Sequence, residues 1–298
     1  MMKVLIADGL SARGQEIIKN AGIDILNKHY ELEDLIKNIP GFDCVLVRSA
    51  TKIPKEVIDA GVNLKVIARG GAGIDNIDHV YAKSKGIPTL NTPAANSASV
   101  AELAIAHMFA LSRFLHQSNI SMREEKWDKK KYKGIELAGK TLGILGFGKI
   151  GQLTAQKALG LGMKVIAYDP FVKETNLDVT LVALDIVLSD SDFVSLHVPK
   201  QDKPVIGATE IAKMKDGVYL INCARGGVVD ETALLDALNS GKVAGAGIDV
   251  YIKEPTDNFA LTSHPNVSVT PHVGASTVEA QERVGSEIAE KIVKALKE

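Results

Sequence analysis

Short, nearly unbroken runs of Val, Ile and Leu recur along the chain, and they constrain its fold more than any other feature. In the first third they are KVLIAD (3–8), DCVLVRS (43–49), LKVIARG (64–70) and IPTLNT (87–92). Later come KTLGILG (140–146), KVIAYD (164–169), DFVSLHVP (192–199), VYLINCARG (218–226), AGAGIDVY (244–251) and VSVT (267–270). A strand that is apolar on both sides must be covered on both sides, so these runs predict parallel strands between helical layers. Helical patterns such as SARGQEIIKNAG and GQLTAQKALGLGM separate them. Alternating strand and helix defines a doubly wound α/β fold. A chain of 298 residues has room for two such units.

One segment stands apart. From about Asn96 or Ser97, SVAELAIAHMFALSRFLHQSNISMREEKW reads as a single long helix, with Asn and Ser as natural N-caps. Its apolar residues cover more than one face, so a second domain or a subunit is expected to bury part of it. It marks the crossing from a first unit, residues 1–94, to a second, residues 95–274.

Composition removes several function classes. The 35 Lys and Arg against 36 Asp and Glu leave a net charge of −1, with no global pull towards nucleic acid or an anionic membrane. No apolar run approaches the ~20 residues of a membrane helix. The opening MMKVLIADGL reads as a first strand rather than a signal peptide. The two cysteines, Cys44 and Cys223, sit inside apolar runs and form no disulfide or metal pattern, as expected of a cytoplasmic protein.

The strongest motif is Gly146-Phe147-Gly148-Lys149-Ile150-Gly151. A lone G-x-G-x-x-G is weak evidence. This one follows a strand, opens a helix, and precedes a second strand that ends in Asp169. Gly146 permits the tight turn, Gly148 lets a pyrophosphate approach the backbone, and Gly151 lets helix and strand pack closely. The helix N-terminus offers N–H groups to phosphates. Asp169 suits the ribose hydroxyls and repels a 2′-phosphate, so NAD is the expected cofactor.

Three polar residues follow strands of the second unit: Arg225, Glu254 and His272. An isolated histidine is ordinarily a loop residue, Glu254 could be a solvated acid, and Arg225 could pair with Asp230 or Glu231. Together, on strand ends beside a dinucleotide motif, they suit redox chemistry. A histidine takes the hydroxyl proton, a carboxylate sets its tautomer, and an arginine grips a substrate carboxylate.

These pieces resemble the D-isomer-specific 2-hydroxyacid dehydrogenases. The likeness rests on VRSATK, RGGAGIDNID, NTPAANSASVAEL, KTLGILGFGKIG, INCARGGVVDETALLDAL, GAGIDVY, EP and TPHVGASTVEAQERVG, spread over about residues 45–285. The resemblance implies two doubly wound parallel-sheet domains. The second (95–274) would bind NAD, the first (1–94 plus 275–298) would bind substrate, and the active site would lie in the cleft between them. The last helix would return to pack on the first unit. Arg225, Glu254 and His272 would be catalytic, with His272 moving the proton. Lys149 and Ile150 would flank the pyrophosphate, and Pro170 would follow the ribose acid Asp169. His197, Val198, Pro199, Cys223, Ala224, Asp249, Gly274 and Ala275 would line the rest of the NAD site. Gly70, Gly71, Ala72 and Gly73 would lend backbone N–H groups to the substrate carboxylate, with Ser49 and Asn96 nearby. Arg48 and Arg69 would meet a phosphate at the far end of the substrate.

Within the family the closest likeness is to members that oxidise D-3-phosphoglycerate to 3-phosphohydroxypyruvate in serine biosynthesis. Alternatives are a glyoxylate or hydroxypyruvate reductase, or a non-catalytic NAD-sensing protein on the same fold. A homodimer through the NAD-binding domains is expected. Residues 198–210 lack the threonine-rich loop the pattern calls for. The chain ends at Glu298 without a regulatory domain, so serine feedback is not expected.

Overall fold

The computed structural model describes residues 2–298. The chain divides into two compact units, Met1–Ser97 with Ala275–Glu298, and Ala98–Gly274. The first unit alternates β1 (Lys3–Ile6), α1 (Ala12–Asn20), β2 (Asp24–Asn27), α2 (Leu32–Asn38), β3 (Cys44–Val47), α3 (Lys55–Ala60), β4 (Val66–Arg69), α4 (His79–Ser84) and β5 (Thr89–Leu90). Then come α5 (Ser97–Ser112), α6 (Leu115–Arg123), β6 (Thr141–Leu145), α7 (Lys149–Gly160), β7 (Lys164–Tyr168), β8 (Thr180–Leu181), α8 (Leu184–Asp190) and β9 (Phe193–Leu196). The chain ends with α9 (Ala208–Lys213), β10 (Val218–Asn222), α10 (Glu231–Ser240), β11 (Val243–Ile248), α11 (Phe259–Thr262), β12 (Val267–Val269) and α12 (Val278–Lys297).

Both sheets are parallel throughout, as the continuous aliphatic runs predict. Every residue of β3 and of β9 is buried. The first sheet has the order β2-β1-β3-β4-β5 and the second β12-β11-β10-β9-β6-β7-β8. In each, the chain runs outward on one side of its first strand and then returns to the other side. That reversal opens a crevice at the carboxyl ends of β1 and β3 in one unit, and of β6 and β9 in the other. Asp8 and Arg48 follow the first pair, and the Gly146 turn and His197 follow the second.

The last helix belongs to the first unit. Thr277 caps it, its hydroxyl accepting from Ala280 N–H at 3.2 Å. A stripe of Ala280, Val284, Ile288, Ile292 and Leu296 is buried. Two glycines let it approach α1: a Cβ on Gly14 would stand 2.6 Å from the Gly285 carbonyl.

The expected single helix after Asn96 is two helices, α5 and α6, bent by 62°. The Ser112 carbonyl accepts the Ile135 N–H at 2.9 Å, so it is taken by a distant residue where the helical ladder would continue. The Ser112 hydroxyl bonds back to Met108 at 2.8 Å, and Phe114 turns into the left-handed region at φ +52°. Among the described residues no single helix is long and apolar enough to cross a membrane. The run IPTLNT contracts to the two-residue β5, and the edge strands β2 and β8 arise from segments without a continuous aliphatic run. An edge strand needs less apolar surface than a central one, and no residue of β2 is fully buried.

Candidate active site

The dinucleotide turn is built as its spacing predicts. Gly146 sits at φ +89°, and a Cβ there would stand 2.5 Å from the His197 carbonyl. A Cβ on Gly151 would stand 2.2 Å from the Gly146 carbonyl, so α7 can start this close to β6 only with glycine there. A Cβ on Gly148 would meet no atom within 4 Å. The turn therefore presents open space where a phosphate group would need it. Gly148 is the N-cap of α7 and brings no side chain to its first N–H groups, leaving them to an anion. Lys149 and Ile150 are its first two helical residues.

Asp169 directly follows β7, and its carboxylate accepts from Phe147 N–H at 2.8 Å and Phe171 N–H at 2.9 Å. These bonds pin the acid beside the glycine turn, and each oxygen keeps a lone pair for a hydroxyl. Pro170 is exposed next to it, and Val198 and Pro199 follow β9 beside the turn, with Val198 lying against Gly146. The His197 Nε2 is 3.0 Å from the Ser195 hydroxyl, and its buried Nδ1 meets no partner among the described residues. Burial lowers the His197 pKa to about 4, so its ring is neutral at neutral pH. An open turn, an anchored acid and an orphaned ring nitrogen fit a dinucleotide.

At the ends of β10, β11 and β12 the remaining residues are held by their own loops. The Asn222 side chain accepts from Ala224 N–H and donates to the Arg225 carbonyl, both at 3.1 Å, closing the turn that carries Cys223, Ala224 and Arg225. The Arg225 guanidinium donates to the Ala224 carbonyl at 2.7 Å. Asp230 caps α10, and Glu231 accepts from Ile252 N–H and the Asn258 amide, both at 2.8 Å. Burial drives the Cys223 thiol pKa well up, with Asp249 adding to it, so the sulfur is a packing group rather than a thiolate.

Glu254 and His272 meet, with Glu254 Oε2 2.6 Å from His272 Nδ1. The other carboxylate oxygen accepts the Tyr251 N–H at 3.1 Å. Burial pushes the Glu254 carboxyl up, but the bonds from His272 and Tyr251 and the charges of His272 and Arg225 outweigh it. Its pKa ends below the usual range. The pair is thus complete above the ordinary carboxylate range and is lost as pH falls through that lowered value. His272 itself has φ +55°, a left-handed backbone that a non-glycine residue rarely keeps without support. The support is Asp249, 1% exposed. It accepts from the Thr270 hydroxyl (2.6 Å), Val273 N–H (2.8 Å) and Gly274 N–H (2.9 Å). Asp249 therefore faces the histidine turn.

The substrate candidates of the first unit form a second constellation, with Ala275 opening the return segment of that unit and Asn96 buried near its other end. Arg48 follows β3, its guanidinium bonds Gln281 of α12, and Ser49 beside it is exposed. Arg69 ends β4, and its guanidinium lies against Gly71, where a Cβ would be 2.5 Å from Nη1. The Gly70 and Gly71 N–H groups are committed to the Val47 and Arg69 carbonyls, at 2.9 and 3.0 Å. Only the second half of that loop, Ala72 and Gly73, has N–H groups that meet no acceptor among the described residues. Sequence reasoning missed two supports here. Asp8 accepts from Arg48 N–H (2.7 Å), Thr51 N–H (2.9 Å) and the Thr51 hydroxyl (2.6 Å). The Asn76 amide donates to the Arg48 and Thr51 carbonyls at 2.7 and 2.6 Å. An acid directly after the first strand was the available signal for Asp8.

A parallel sheet with a glycine turn at its switch point and an acid after the next strand defines a dinucleotide-binding unit. Residues 105–274 match the family described as D-isomer specific 2-hydroxyacid dehydrogenase, NAD binding domain. The chain is 50% identical over 300 residues to the hydroxypyruvate reductase of Thermotoga maritima, covering 99% of this chain and 98% of that one. It is 45% identical over 299 residues to the D-3-phosphoglycerate dehydrogenase of Archaeoglobus fulgidus, covering 98% of this chain but only 57% of that longer protein. The crystal structure of D-lactate dehydrogenase from Aquifex aeolicus, complexed with NAD and lactic acid, matches with a TM-score of 0.88 at 32% identity. That match covers 99% of this chain and 95% of that one. The chain belongs to the D-isomer-specific 2-hydroxyacid dehydrogenase family and is an NAD-dependent oxidoreductase.

Because a Cβ on Gly148 meets open space, Gly148→Val should separate binding from folding. Its melting temperature should stay within about 3 °C of the wild type, while NADH binding by fluorescence titration weakens more than about tenfold. Unchanged NADH affinity would remove the phosphates from this turn.

Proposed function

We propose that this enzyme interconverts D-3-phosphoglycerate and 3-phosphohydroxypyruvate, with His272 as the proton-transfer group. The observation that carries the substrate is the pair of guanidinium groups at the ends of neighbouring strands, Arg48 after β3 and Arg69 on β4, in register at Val47 and Arg69. Arginines at two adjacent strand ends are planar donors of the kind that meets a phosphate dianion. The Ala72 and Gly73 N–H groups suit the substrate carboxylate at the other end.

NAD, when bound, supplies the acceptor for the hydride of the substrate carbon. The chain's own residues handle the rest. Glu254 accepts the His272 Nδ1–H, which leaves Nε2 as the nitrogen that takes the hydroxyl proton. The carboxylate then stabilises the imidazolium. Arg225 grips the carboxylate and polarises the oxygen that becomes the carbonyl. Reduction runs the same steps backwards. His272→Ala should lower kcat by about 10²- to 10⁴-fold while NADH still binds. Wild-type turnover in that variant would remove His272 from the mechanism.

A second reading, reduction of hydroxypyruvate, draws support from the 50% identity to a hydroxypyruvate reductase over nearly all of that protein. Arg48→Ala and Arg69→Ala discriminate. Under the phosphate reading each should raise KM for 3-phosphohydroxypyruvate at least about tenfold more than KM for hydroxypyruvate. Equal effects on both substrates would favour the unphosphorylated acid. Two buried free cysteines suit a reducing compartment, and cytoplasmic location is part of this proposal.

The enzyme is also proposed to be a homodimer through the second unit. Leu115, Ile120, Met122 and Trp127 are each more than half exposed on or just after α6. A groove of about 520 Å³ opens along the same segment, lined by His116, Ile120, Tyr132, Val267 and Val269 among others. Projections and groove on one patch are what a two-fold, self-complementary contact needs. Light scattering should give twice the 31.8 kDa chain mass, and Ile120→Glu with Trp127→Glu should give monomers. A monomeric wild type would overturn it.

A further inference from the structure

His107 lies on α5, far from His272 in sequence, and is 2% exposed. Its Nδ1 is 2.9 Å from the Ser268 hydroxyl and its Nε2 is 3.2 Å from the Thr270 hydroxyl. Glycine on β11 lets α5 come this close: a Cβ on Gly247 would stand 2.6 Å from the His107 Cβ. Nothing in the mechanism above uses this residue.

The directions of these hydrogen bonds follow from proton counting. The Thr270 hydroxyl has one proton, and at 2.6 Å from the Asp249 carboxylate it donates that proton to Oδ1. Its oxygen then accepts from His107, so Nε2 carries a hydrogen. Burial lowers the His107 pKa to about 4, against the pull of the Asp249 charge, so the ring is neutral. A neutral ring with Nε2–H has a lone pair on Nδ1, which receives the Ser268 hydroxyl. The chain of donors runs Ser268, His107, Thr270, Asp249. It ends on a carboxylate whose other partners are the Val273 and Gly274 N–H groups, which follow His272 directly.

We propose that His107 is a positioning residue for His272: its Nε2–H orients the Thr270 hydroxyl onto Asp249, and Asp249 holds the left-handed turn that presents the histidine. The inference rests on His272 being the proton-transfer group. Without the His107 donor, the Thr270 hydroxyl is free to rotate off the carboxylate, and the turn loses one of its three anchors. The consequence falls on orientation at the reacting atoms, where small misplacements cost most.

The first measurement is independent of activity. In protein labelled with ¹⁵N-histidine, NMR should find His107 protonated on Nε2 and bare on Nδ1. Kinetics form the second arm, well below each variant's melting temperature and with whichever of 3-phosphohydroxypyruvate and hydroxypyruvate the wild type turns over. His107→Leu should lower kcat about 10- to 100-fold with NADH affinity within about twofold. His107→Gln, whose amide can donate to Thr270, should recover most of the loss. Thr270→Val should reproduce the loss, and the double variant with His107→Leu should lose no more than either alone. The opposite tautomer, wild-type kcat in His107→Leu, or additive losses would each overturn the proposal. If His107→Leu fails to fold, the tautomer and Thr270→Val decide. His272→Ala in the same assay tests the underlying reading separately: wild-type turnover there removes His272 as the proton group, whatever the tautomer of His107.

Discussion

Every strand among the described residues pairs with parallel neighbours, and that constraint dictates the rest. Parallel strands need crossovers, crossovers put helices on both faces, and both faces of the central strands are then buried. Within each unit the chain must reverse its direction of growth once. At that reversal the helices diverge, and the carboxyl ends of two adjacent strands face open space. The glycine turn after β6 and the Arg48 loop after β3 occupy these two places. Backbone N–H groups and strand-end side chains converge at both places.

Buried carboxylates do the local fixing. Asp8 and Asp249 each accept hydrogen bonds from two backbone N–H groups and one threonine hydroxyl. An ionised carboxylate removed from water must be satisfied in this way. The satisfaction leaves a loop with few degrees of freedom. In one unit that loop carries Arg48, and in the other it carries His272 at φ +55°. Glu254 differs, since it stays partly exposed and spends one oxygen on the imidazole of His272. Position thus comes from the two buried acids, while Glu254 holds the imidazole from a partly exposed place.

Much of this was legible in the sequence because the signals are local. A continuous aliphatic run, a glycine spacing and an acid at the end of the next strand are each contained within about thirty residues. The fold and the dinucleotide turn follow from them directly. The break between α5 and α6 was not legible, because its cause is the Ile135 N–H reaching the Ser112 carbonyl from more than twenty residues away. The glycine loop after β4 was legible only in part: four residues matched the pattern, yet strand pairing and a tight turn consume the N–H groups of Gly70 and Gly71.

The sequence by itself determined the class of fold, the cofactor turn and the residue types able to move a proton and grip an acid. These depend on composition and short-range spacing, which survive without any knowledge of contacts. Only the tertiary structure decided which groups meet. It joined Glu254 to His272, turned Asp249 onto the histidine loop, set Asp8 under Arg48, and brought His107 to Thr270 across 163 residues of chain. The reason is physical. Hydrogen bonds act over about 3 Å of space and are indifferent to separation along the chain, so residue types can be read in order but their pairing appears only once the sheets have formed.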